Sequence, residues 1–216
     1  MKRLDIVSEI HEHCINIERR EIFLHSFIGA VEEEPGIDYR SAAVFIKNIM
    51  LLDSLTDDPI TVHMFSIGGE WAPGMAMYDC IISCESVVTI MVHGQASSMS
   101  SILLQSADFR IMMPNSHFMS HFGGAGFEGH YLNFQSMAKY DKDLCRIMID
   151  IYADKMVESD FFKDKHPGGD PSKATAIIKR KLKDGDWYLT PEETVYYGLA
   201  DCVWGDKKFE SFNKSE

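Results

Sequence analysis

The sequence has no cysteine framework. Its five cysteines, Cys14, Cys80, Cys84, Cys145 and Cys202, form no CxxC pair and are odd in number. Neither a disulfide scaffold nor a zinc ribbon is expected, and reduced thiols in the cytoplasm are the simplest reading. No apolar run approaches the ~20 residues a membrane span requires. Asp5, Glu9 and Glu12 interrupt any apolar stretch of a secretory leader. Positive charge is also scarce: 21 Lys and Arg against 33 Asp and Glu leave a formal charge of −12. That excludes a nucleic-acid groove, which needs clustered cations. The basic bunch at 179–183 runs into Asp184 and Asp186 and reads as a solvated helix face. There is no phosphate-binding glycine loop and no internal repeat. These absences lead us to expect a soluble protein that uses no nucleic acid, membrane, nucleotide, metal or other cofactor.

What is present is an ordinary globular composition, 45% hydrophobic over 216 residues, enough for one full core. Spacing predicts a first amphipathic helix over 5–20, a strand over 21–29 and a second helix over 39–53. Strands follow at 60–65 and 87–93, each ending in a glycine break, with helices at 73–84 and 98–106 behind them. Short strands at 108–113 and 117–122 precede a glycine-rich run, 123–129. A long helix is expected over 131–157, then a loop over 158–171. A basic helix over 172–184 follows, capped by Ser172. A strand at 187–189, a helix opening on Thr190 and a last strand at 199–203 complete the pattern. Such alternation predicts an α/β fold on a mostly parallel sheet. The expected organisation is an arm over 1–20, one domain over 21–204 and a polar tail over 205–216.

In open parallel sheets, ligands gather where strands end in helix-starting turns. Ser98 stands at such a turn, after a buried strand and before an apolar helix. There it can be a nucleophile, if a base lies within reach, or simply a cap among Ser97, Ser100 and Ser101. His121, closing a strand, can serve as that base. The His117 and His121 spacing would suit a zinc pair on a helix, but the local pattern is that of a strand, and no third ligand is evident. Asp184 and Asp186 bracket Gly185 in a turn, where aspartates are common for backbone reasons alone.

Four strings are more specific. GQASSMSS (94–101), PNSHFMSH (114–121), SIGGEWAPGMAMYD (66–79) and DWYLTPEETVYYGLAD (186–201) together resemble segments of the Clp protease proteolytic subunit (ClpP) family, in order and spacing. The resemblance implies a superhelix of ββα units shared with crotonases, extended by a handle helix at 131–157. It implies Ser98 as nucleophile, His121 as base and Asp186, rather than Asp184, as orienting acid. The backbone N–H groups of Gly69 and Met99 would form the oxyanion hole, and Gly68, Gly123, Gly124, Ala125 and Gly126 would border the substrate.

The same resemblance implies polypeptide substrates and self-association into heptameric rings, single or stacked in pairs. It also implies feeding by a separate ATP-driven (AAA+) unfoldase. Thr61, His63 and Ser83 stand where the family often has aromatic residues, while Ile111 and Met113 keep the neighbouring wall apolar. An altered docking cleft is therefore expected. Three alternatives stay open: a maturation protease with a dedicated substrate such as a viral capsid scaffold, a silent ring subunit, and a crotonase-type acyl-CoA enzyme.

Overall fold

Apolar strands alternating with amphipathic helices can hide both kinds of apolar face only by stacking in layers. The computed structural model describes residues 3–25, 36–124, 126 and 129–206. Its elements begin α1 Arg3–His13, β1 Ile15–Asn16, β2 Glu21–His25, α2 Tyr39–Leu55, β3 Ile60–Ser66, α3 Trp71–Ile82 and β4 Val88–Ser97. They continue with α4 Met99–Leu103, tightening into a 3₁₀ turn Leu104–Ser106, then β5 Phe109–Met112, β6 His117–Ser120 and α5 Tyr131–Val157. The last are α6 Asp160–Lys165, α7 Pro171–Lys183, β7 Trp187–Leu189, α8 Pro191–Tyr196 and β8 Cys202–Val203.

The strands form one sheet in the order β1-β2-β3-β4-β5-β8, parallel except at the β1–β2 pair. A spur leaves it: β6 pairs parallel with β4 and carries β7 antiparallel. Alternation along β3 and β4 sends Ile60, Val62, Met64, Val88, Ile90 and Val92 into one core with Phe45 and Leu52 of α2 and Tyr152 of α5. The opposite face shows Phe23, His63, Phe65, Met91 and His93, only partly covered within one chain. Parallel sheets normally have both faces covered.

Four local expectations change. The first helix stops at His13, because Cys14 turns to φ 57 and Ile15 buries in β1 opposite Ile22. β4 does not break at Gly94. It kinks there, at φ 69, with the Phe65 ring 2.7 Å from where a Cβ would sit. The 158–171 stretch is not all loop. Phe161 and Phe162 bury, and α6 forms around them, with Ser159 Oγ accepting the Phe162 N–H at 3.1 Å. The basic helix is capped by Asp170, which accepts the Ser172 N–H at 3.0 Å, rather than by Ser172. The long helix α5 keeps its expected limits. Among the described residues no helix is long and apolar enough to cross a membrane.

Candidate active site

The kink at Gly94 lets β4 use two neighbours. Its first half pairs with β5 (Thr89 with Phe109, Val92 with Met112), and its second half with β6 (Gln95 with His117, Ser97 with Met119). β6 in turn sets Ser120 opposite Trp187 of β7. One residue further, the β6–β7 register sets His121 opposite Asp186, and the β4–β6 register sets Ser98 opposite Ser120, the neighbour of His121. Three distant stretches of sequence thus end at one rim.

Ser98 occupies the turn from β4 into α4 with φ 53 and ψ −124. Left-handed backbone of this kind costs a non-glycine residue on the order of 1–3 kcal/mol. It is held by the Ser98 N–H donating to Met119 O at 2.8 Å and by the Ser101 N–H donating to Ser98 O at 3.0 Å. The side chain consequently stands clear of both elements. His121 Nε2 lies 2.8 Å from Ser98 Oγ, and His121 Nδ1 lies 3.4 Å from Asp186 Oδ1. The second contact is an ion-pair distance, longer than a short N–H···O bond. The Asp186 side chain is 49% exposed and that of His121 30%, so water competes for the carboxylate. With an Nδ1 proton held toward Asp186, Nε2 can accept the serine proton. Asp184 ends α7 and makes no ion pair with His121 among the described residues.

A cleft of about 560 Å³ opens beside this pair, lined by Gly69, Ser98, Met99, His121, Gly123 and Gly124. Gly69 forms a parallel bridge with Ile37: the Ile37 N–H donates to Gly68 O at 2.6 Å and the Glu70 N–H to Ile37 O at 2.8 Å. In a parallel ladder the residue between two such bonds turns its own N–H the other way. A Cβ on Gly69 would sit 2.2 Å from Ile37 O, so only glycine fits this crossing. The Met99 N–H belongs to the first turn of α4, where helical N–H groups have no intrahelical acceptor. The cleft's apolar wall includes Trp71, Ile102, Leu144 and Met148.

Gly68 and Gly126 do not line the cleft. Gly68 is buried against Ser97 O, 2.5 Å from a would-be Cβ, so it supports the turn from behind. Ala125 lies outside the described residues. His117 also stands away from the cleft, its ring 6.1 Å from that of Tyr188. Sequence reasoning did not single out the 36–38 segment, Trp71, Ile102 or the wall from α5. Leu144 and Met148 did carry a signal, apolar residues four apart on a helix otherwise rich in charge. Nothing in the string marks Ile37.

An α/β sheet with a cleft at the carboxyl ends of its strands is a ligand-binding architecture. Residues 18–207 match the Clp protease family. A curated relative, the ATP-dependent Clp protease proteolytic subunit of Deinococcus radiodurans, is 31% identical over 170 residues, covering 77% of this chain and 76% of that protein. Among solved structures, a ClpP1 mutant from Listeria monocytogenes has the same fold. Its TM-score is 0.70, covering 89% of this chain and 95% of that one, at 19% identity. The chain therefore belongs to the Clp protease family and is a peptidase with that fold.

Proposed function

We propose that this protein is a serine endopeptidase subunit that cleaves unfolded polypeptides inside a ring-shaped chamber. The observation that carries the reading is the 2.8 Å contact of Ser98 Oγ with His121 Nε2 at the mouth of the cleft. Ser98 Oγ attacks the scissile carbonyl carbon while its proton passes to His121 Nε2. The N–H groups of Gly69 and Met99 stabilise the oxyanion. His121 then protonates the leaving amine, and water hydrolyses the acyl-serine with His121 as base. Asp186 holds the imidazole tautomer and offsets its positive charge. Gly123 and Gly124 border the substrate backbone, and the Leu144 and Met148 wall receives an apolar side chain next to the scissile bond.

In this reading the peptidase domain spans 21–204, preceded by an arm and followed by a tail. Subunits associate in heptameric rings, and an ATP-driven unfoldase feeds the chamber. The test is fluorophosphonate labelling of the purified protein beside Ser98→Ala. We expect label on the parent and none on the variant. A folded, ring-forming parent that takes no label would instead mark a silent subunit.

One observation favours a second reading, a protease trimming a dedicated partner without a standard unfoldase. On the open sheet face, His63 Nδ1 and His93 Nε2 lie 3.0 Å apart, with Glu21 Oε1 3.9 Å from His63 Nε2. That polar group stands on the face where an apolar docking cleft is expected. Tight binding of a standard bacterial unfoldase would remove this second reading.

A further inference from the structure

Tyr152 of α5 is fully buried in the core. Its phenol oxygen lies 2.7 Å from Ser101 Oγ, and Ser101 Oγ lies 2.5 Å from the carbonyl oxygen of Ser98. A carbonyl can only accept, so the single Ser101 hydroxyl proton goes to Ser98 O, and Tyr152 must be the donor to Ser101. Burial pushes the phenol pKa up to about 12, against the opposing pull of the Ser101 and Ser120 hydroxyls, so it remains a protonated donor. The two bonds point the same way and polarise each other in a dry interior.

The Ser98 carbonyl and the Met99 N–H belong to one peptide unit. That unit is planar and trans, so its C=O and N–H point in opposite directions. A carbonyl drawn into the core therefore turns the N–H toward the cleft. Intrinsic backbone preference does not favour this plane, because Ser98 sits at φ 53, and its carbonyl is held by the Ser101 N–H at 3.0 Å together with the Ser101 hydroxyl.

We propose that Tyr152 is a positioning residue: acting through Ser101, it fixes the Ser98–Met99 peptide so that the Met99 N–H is aimed at the oxyanion. This ties α5 to the chemical step, and it rests on the assignment of Ser98 as nucleophile. Packing alone does not require the hydroxyl. The Phe118 ring meets the Tyr152 ring edge-on at 6.0 Å between centroids, a contact a phenylalanine would keep.

The test compares Tyr152→Phe, Ser101→Ala, their double variant and Tyr140→Phe, an exposed tyrosine on the same helix. It reads the rate constant of fluorophosphonate labelling, together with kcat and KM on a fluorogenic peptide with an apolar residue before the scissile bond. Thermal melting and ring size check that each variant is folded. Each single core variant should lose about tenfold or more in kcat and labelling with KM unchanged. The double variant should be no slower than the worse single, because both act on one bond chain. Tyr140→Phe should match the parent. Parental rates in both single core variants, a loss confined to KM, an additive double variant, or an equal loss in Tyr140→Phe would each overturn the proposal. A parent that takes no label removes the nucleophile assignment as well. A labelled parent with unaffected variants removes this inference alone.

Discussion

At the residue scale, Ser98 keeps a strained backbone because two partners hold its turn, and the strain presents Oγ to His121. The third side chain is less tightly bound. Asp186 lies 3.4 Å from the imidazole and half in water, which screens its charge. Loss of a buried, short-bonded acid costs about 10⁴ in kcat in well-studied triads. Asp186→Ala should cost less, about 10² in kcat, while His121→Ala should cost about 10⁶. Equal losses on a peptide substrate would mean that the carboxylate is far more closely engaged than its exposure implies. The segments that carry Ser98, His121 and Asp186 were readable as motif strings. Ile37 was not readable, since its part in the site is a backbone bridge that any side chain could make.

At the scale of elements, α2, α5 and α8 were legible because their apolar spacing is local, and in α8 the cap is local too. Thr190 and Glu193 close a reciprocal cap on α8, with bonds of 3.2 and 2.9 Å. β1 and α6 were not legible. Two residues of strand have no period, and the Phe161–Phe162 pair in a charged run acquires meaning only from the aromatic rings of Tyr196 and Tyr197 packed on Phe161. Asp53 shows how α2 is tied to the turn before β4. Its Oδ1 accepts the Ser86 N–H and hydroxyl, both at 2.8 Å. Burial alone would raise its pKa, but these bonds, with others from Cys84 and Glu85, outweigh that and hold it at about 2. A carboxyl depressed in the fold stabilises it above the unfolded pKa of 3.8, and that stability is lost as pH falls toward about 2. Asp53→Asn should therefore flatten the fall in denaturant midpoint across this window. An unchanged pH slope in the variant would refute the assignment.

At the scale of the whole molecule, the open sheet face carries the most unusual chemistry. Burial lowers the pKa of His63 and His93, and their mutual repulsion lowers that of His63 further. The fold therefore favours both rings neutral, whereas the unfolded chain takes up protons near pH 6.5. More protons bound in the unfolded state means stability that is present above that pH and lost as pH falls below it. The unfolding free energy should drop between about pH 7 and about pH 5, and His63→Gln should remove part of the drop. An identical slope in parent and variant would show that these rings play no part.

Sequence alone determined the layered α/β class, the long helix at 131–157 and the stretches that meet at the candidate site. These follow from local spacing and short strings. Only the tertiary structure decided how the stretches meet. The kink at Gly94 lets one strand pair with two neighbours, and strand register then brings 98, 121 and 186 to one rim. The bond between Tyr152 and Ser101, the backbone bridge at Ile37 and the histidine pair on the open face join residues far apart in the chain. Such contacts depend on the path of the backbone through space, which no local pattern encodes.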